Sequence, residues 1–146
     1  NNLIEKSIDE LLKKFQIVHI RGRGNLDIGL HKKGYVQYEY LDEKLNDVYA
    51  VSEMVISRGG ANSLFEIATL KKKALIIPLA KHASRGEQLE NAKLLAGKLG
   101  WAILEGEISA EDFVRAVEMA YKNKLNESAG IENGVDEIVE MILKRK

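Results

Sequence analysis

The sequence predicts an α/β domain: a Rossmann-like parallel sheet with helices on both faces. Short apolar runs of strand length alternate with segments of helical period along most of the chain. The connections between them are short, and the glycine-rich or polar breaks fall directly after the apolar runs. That order implies parallel strands joined by right-handed crossovers. The ligand crevice of such a fold lies beyond the carboxyl ends of its strands. The residues after each strand therefore carry the functional information: Arg21 to Asn25, Tyr40-Leu41, Arg58 to Ser63, and Leu79 to Gln88.

The elements follow in order. Leu3, Ile4, Ile8, Leu11, Leu12 and Phe15 recur at helical spacing, and Gln16 to Ile20 reads as a short apolar strand. Tyr35 to Tyr40 alternates like a second strand. Asp42 is placed to cap a helix running to about Ser52. Met54 to Ser57 reads as a compact buried strand, Gly59-Gly60 as a turn, and Asn62 or Ser63 as the opening of a helix through Leu70. Ala74 to Pro78 is the next strand, with the only proline at its end. Glu87 to Leu99 reads as a helix stopped by Gly100, and Trp101 to Leu104 as a last strand. Ser109 is the expected cap of a further helix, and a final helix covers roughly Gly134 to Lys144.

Composition narrows the function classes. The 146 residues fit one domain, and 45% hydrophobic with 30% charged residues is ordinary for a globular protein. Lys+Arg and Asp+Glu both number 22, so bulk charge gives no reason to expect a nucleic-acid partner. The absence of cysteine excludes disulfides, thiolate metal sites and cysteine nucleophiles. No apolar run approaches the roughly 20 residues of a membrane-spanning helix. A chain that opens on a helix, with no strand before it, reads as a piece of a longer protein. The three histidines, His19, His31 and His82, are too scattered for a metal site.

The segment Ser57-Arg58-Gly59-Gly60-Ala61-Asn62-Ser63-Leu64-Phe65-Glu66 concentrates the chemistry. The glycines let the backbone turn sharply and approach a ligand. The helix that follows presents unpaired amides and the positive end of its dipole, which suits phosphate. Arg58 would add charge-assisted bonds to a diphosphate. Glu66, one turn inside the helix, would accept bonds from the vicinal hydroxyls of a ribose. The alternative is plain: tight turning explains the glycines, Arg58 pairs with a surface acid, and Glu66 partners the helix dipole. The pattern is neither a Walker loop nor GxGxxG.

Gln88 and Asn91 lie one turn apart at a helix start, able to read sugar hydroxyls or to cap the joint. His82 shows no acid partner to support a catalytic role. Arg21-Gly22-Arg23-Gly24 reads as a solvated loop more readily than as a phosphate contact. Tyr40-Leu41 either flanks a base ring or joins the core.

Together these segments resemble the carboxyl-terminal domain of the MurG family, the peptidoglycan N-acetylglucosaminyltransferases that make lipid II. The matching text is Ile56 to Glu66, Ala74 to Pro78 and Ser84 to Ala92, with weaker similarity from Leu3 to Leu41 and into the last helix. The resemblance implies that residues 1–146 are the donor-binding, carboxyl-terminal domain of a two-domain glycosyltransferase-B fold, without its first strand and Gly-Gly-Ser loop. It implies that Glu66 holds the ribose and that Gly60, Ala61, Asn62 and Ser63 contact the diphosphate and neighbouring sugar. Gln88, supported by Asn91, would read N-acetylglucosamine, and Leu41 would pack near uracil.

The family transfers N-acetylglucosamine from UDP-N-acetylglucosamine to undecaprenyl-diphosphate-muramyl-pentapeptide, inverting the anomeric centre. The resemblance implies no cofactor or catalytic metal, and a peripheral enzyme on the cytoplasmic face of the bacterial inner membrane. No catalytic residue is expected in this chain, because the family's acceptor domain carries the proposed base. By itself this chain is therefore expected to be inactive. One departure stands out: relatives place Gly-Pro where this chain has Lys71-Lys72-Lys73, a position expected to be structural. Three other readings remain: a different glycosyltransferase-B member acting on a glycolipid or polysaccharide, a stand-alone nucleotide-sugar-binding subunit needing a membrane partner, and a structural domain with a vestigial site.

Overall fold

The computed structural model describes residues 1–78 and 87–126. Ten elements run in the expected order. They are α1 (Asn2–Leu12), β1 (Ile17–Ile20), β2 (Tyr35–Tyr38), α2 (Leu45–Val51), β3 (Met54–Ser57), α3 (Ala61–Thr69), β4 (Lys73–Ile76), α4 (Glu87–Leu99), β5 (Ala102–Ile103) and α5 (Ala110–Lys122). The helix expected over Gly134 to Lys144 lies outside the described residues.

Every strand pairing is parallel, with Ile17 opposite Tyr35, Met54 opposite Lys73, and Leu75 opposite Ala102. The strands form two ladders, however: β1-β2, and β3-β4-β5. β3 is thus an edge strand and only half-buried, with Ile56 37% exposed. This corrects the expectation of a buried strand there. An apolar run of four residues does not by itself reveal that a strand lies at an edge.

β4 shows why helices cover both faces of the larger ladder. Successive strand side chains point to opposite faces, and Ala74, Leu75 and Ile76 are all buried. Ala74 and Ile76 join Leu64 and Ile67 of α3 and Leu95 and Leu99 of α4. Leu75 joins Leu11 of α1 and Phe113 and Val117 of α5 on the other side. Each of the buried leucine, isoleucine, valine and phenylalanine side chains contributes about 1.5–3 kcal/mol by leaving water.

Local rules explain most boundaries. Ser109 caps α5, accepting from the Asp112 amide at 3.0 Å. Gly100, at φ +76°, ends α4. The α3 terminus is a Schellman turn: the Lys71 amide donates to the Ala68 carbonyl and the Lys72 amide to the Ile67 carbonyl. Lys71 there holds φ +49°, a conformation that favours glycine. The departure at Lys71 to Lys73 is therefore structural, as expected. Two helix-start expectations fail, and β2, β4 and β5 end earlier than expected, at Tyr38, Ile76 and Ile103. Asp42 does not cap α2: its carboxylate accepts from the neighbouring Glu43 amide, and α2 starts after Lys44 without a side-chain cap. α3 opens at Ala61 with Gly60 as its N-cap, so Asn62 and Ser63 lie inside its first turn.

Candidate functional site

The parallel register brings the strand ends together. Ser57 pairs with Ile76, its carbonyl accepts from the Ile77 amide at 2.8 Å, and the Leu104 amide donates to the Ile76 carbonyl at 2.9 Å. The turn from Arg58 to Gly60 thus leaves the carboxyl edge of the sheet beside the exit of β4. α3 then begins at this edge, and its first-turn amides carry no side-chain cap. Ala61 and Asn62 are exposed and Ser63 is half-buried.

The two glycines differ. Gly59 is buried and holds φ +84°, so the turn requires a residue without Cβ. Gly60 has φ −60° and ψ 139°, ordinary extended backbone for any residue, and a Cβ built there meets nothing within 4 Å among the described residues. Tight turning accounts for Gly59 but not Gly60. What the missing side chain at Gly60 leaves is open space beside uncapped amides.

Arg58 is exposed and has no ion-pair partner among the described residues. Glu66 lies beyond the first turn of α3, where the dipole's pull has faded. Its carboxylate accepts a hydrogen bond from the Tyr49 hydroxyl at 3.3 Å. Burial, then the adjacent Glu66 carboxylate, raise the Tyr49 phenol above its usual range, so it stays a donor at neutral pH. Tyr49 packs against the core formed by α3 and α4. No local pattern in the sequence signals this contact, which joins residues 17 apart.

Other expected residues fall in different places. Leu41 is half-buried three residues past the end of β2, and outside both core clusters. Neighbouring Tyr40 is exposed, with the Arg23 guanidinium over its ring at 5.4 Å. Gln88 and Asn91 occupy the first turns of α4, but their side-chain placement lies outside the described part of the chain, as does His82.

Arg21 is not a solvated loop residue. Its side chain is 6% exposed, ion-paired with Glu5 and donating to the Tyr35 hydroxyl at 3.5 Å. It ties α1 to the β1-β2 ladder and is unavailable to a phosphate. His19 lies beside it, with Nδ1 2.9 Å from the Tyr35 hydroxyl and Nε2 3.1 Å from Asn1 Oδ1. Burial first, then the Arg21 charge, push His19 down to about 4, so the ring is neutral at pH 7. Among the described residues no cluster of histidines and acids is suited to hold a metal.

Two open depressions lie away from the turn, one beside Lys71, Lys73 and Leu125, the other beside Leu30, Tyr35 and Val36. Neither includes a residue of the Ser57–Glu66 segment; the first is lined by Glu53 and by Lys71, Lys73 and Lys124, the second by His31, Lys32 and Lys33 among others.

Parallel strands ending together, followed by glycine turns and helix starts, define a Rossmann-like α/β domain. The chain belongs to the family described as the glycosyltransferase family 28 C-terminal domain, whose model matches residues 1–142. Its relatives include a UDP-N-acetylglucosamine–N-acetylmuramyl-(pentapeptide) pyrophosphoryl-undecaprenol N-acetylglucosamine transferase of Clostridium tetani, 43% identical over 99% of this chain and 42% of that protein. Proteins of the same name from Clostridium botulinum strain Loch Maree and Geobacillus thermodenitrificans are 40% and 45% identical, over 99% and 85% of this chain. These matches bear out the resemblance to the MurG family's carboxyl-terminal domain. The chain spans less than half the length of these relatives, 42%, 43% and 35% of them respectively.

Proposed function

We propose that this chain is the donor-binding domain of an inverting glycosyltransferase. The full-length enzyme would move N-acetylglucosamine from UDP-N-acetylglucosamine to undecaprenyl-diphosphate-muramyl-pentapeptide in peptidoglycan synthesis. The observation that carries this reading is the β3–α3 junction: open space at Gly60, an uncapped helix start, and a carboxylate one turn further on. The names of the relatives supply the substrates.

In this reading the Gly60 to Ser63 backbone and the Arg58 guanidinium hold the diphosphate, and Glu66 accepts from the ribose hydroxyls. Leu41 flanks uracil, and Gln88 with Asn91 reads the sugar. The chemical contribution is electrostatic. As the bond from the anomeric carbon to the diphosphate breaks, negative charge grows on the departing oxygens, and fixed amides with Arg58 stabilise it. A metal is not needed for that task. Activation of the acceptor hydroxyl falls to the other domain of the full-length enzyme.

The break between the two ladders supports the expectation that a further parallel strand completes the sheet in the longer protein. We place the enzyme peripherally on the cytoplasmic face of the membrane, where its lipid-linked acceptor lies. No helix of the described residues is long and apolar enough to cross a membrane.

The test is a transfer assay with the full-length protein, labelled UDP-N-acetylglucosamine and the lipid-linked muramyl-pentapeptide. Label should move to the lipid, and Glu66→Ala should abolish most of that transfer. A preference for UDP-glucose or UDP-galactose would assign the chain to a different sugar, and normal transfer by Glu66→Ala would overturn the site.

A further inference from the structure

We propose that Tyr49 is a positioning residue for nucleotide recognition: its hydroxyl, donated to Glu66 Oε2 at 3.3 Å, presets the carboxylate that receives the ribose diol. This rests on the reading of Glu66 given above.

Glu66 is exposed on α3, and an exposed glutamate samples several rotamers that binding must freeze. Tyr49 is better fixed. Its ring packs against the core cluster that includes Leu64 and Ile67 of α3 and Leu95 of α4. The helix that carries it is itself tied down, since the Lys72 ammonium donates to the Ser52 carbonyl at 2.9 Å and to the Ala50 carbonyl at 3.3 Å. The Lys72 carbonyl in turn accepts from the Trp101 indole at 2.9 Å. A phenol held this way makes a rigid anchor for a mobile acid.

The stoichiometry of acceptors allows it. A carboxylate offers about four lone-pair sites. One bond from Tyr49 leaves enough for two vicinal hydroxyls. The Tyr49 bond costs the site no recognition capacity and removes rotamers that cannot receive the diol.

The experiment uses the full-length protein and two ligands, UDP and its 2′,3′-dideoxy analogue, titrated into the parent, Tyr49→Phe, Glu66→Ala and the double variant. Phenylalanine keeps the packed ring and removes only the hydroxyl. Tyr49→Phe should weaken UDP about threefold to tenfold, the worth of one ordinary hydrogen bond. Affinity for the dideoxy analogue should stay within about twofold, since no diol is there to be received. In the Glu66→Ala background, Tyr49→Phe should change nothing further.

Equal weakening of both ligands would mean that Tyr49 only supports the fold, and an unchanged UDP affinity would mean that Glu66 needs no preset; either overturns the proposal. If Glu66→Ala itself binds UDP like the parent, the ribose assignment falls and this inference with it. If Glu66→Ala is weak while Tyr49→Phe matches the parent, this inference alone falls.

Discussion

The indole nitrogen of Trp101 donates to the carbonyl of Lys72 across 2.9 Å, joining the start of β5 to the turn before β4. Trp101 is 7% exposed and packs with Ala92, Ala96 and Leu99. Trp101→Phe would keep most of the apolar contact but leave a void and an unpaired carbonyl. We expect a loss of about 1–3 kcal/mol in stability, measured by urea unfolding. A smaller loss would show that water replaces the indole at no cost.

Lys71 occupies the left-handed position of the Schellman turn after α3. A side chain there costs on the order of 1 kcal/mol relative to glycine. Lys71→Gly should therefore stabilise the domain by about that amount, visible as a rise in melting temperature. The lysine's ammonium appears in no hydrogen bond or ion pair among the described residues, so little is lost with it.

Gly60 separates folding from binding. Its backbone is ordinary and its Cβ direction empty, so Gly60→Ala should leave stability within about 0.5 kcal/mol of the parent. In the proposed site the same methyl would stand where the diphosphate approaches, and UDP affinity of the full-length protein should fall by roughly tenfold or more. Unaltered affinity in a stable variant would remove the close-approach argument for this glycine.

His19 predicts a pH dependence. Its folded value of about 4 lies below the unfolded 6.5, so the unfolded chain binds the extra proton between those values. Stability from this group is complete above pH 6.5 and is lost as pH falls toward 4. Allowing for solvent screening of a half-buried ring, the loss is on the order of 1 kcal/mol. His19→Gln should flatten that part of the stability curve in denaturant titrations at stepwise pH, and an unchanged slope would assign it to other groups.

What the sequence made legible was local. The bounds of β3 and α4, the Ser109 cap and the Gly100 stop all follow from periodicity and capping chemistry within a few residues. What escaped was long-range. Arg21 looks solvated in the sequence because its partner Glu5 lies on α1, 16 residues away. The exposure of Ile56 is not legible because the edge position of β3 is set by strand order, not by its own four residues. Tyr49 gave no signal at all, since its partner is defined by how α2 packs beside α3. At the site, the Ser57–Glu66 motif was readable because turn, helix start and acid are contiguous. Gln88 and Asn91, proposed to read the sugar, are legible only as a pattern one turn apart at the start of α4.

The burial of β4 on both faces has a consequence in time. Local opening exposes the least-buried elements first. The β1-β2 ladder, with Val18, Ile20 and Val36 partly in water, belongs to that group. Ala74, Leu75 and Ile76 are clamped between two cores, so their amides should exchange with solvent hydrogen last. The β3–α3 turn hangs from that slow strand through the Ser57–Ile77 bond. The geometry of this turn, the proposed diphosphate site, therefore outlives excursions elsewhere in the domain.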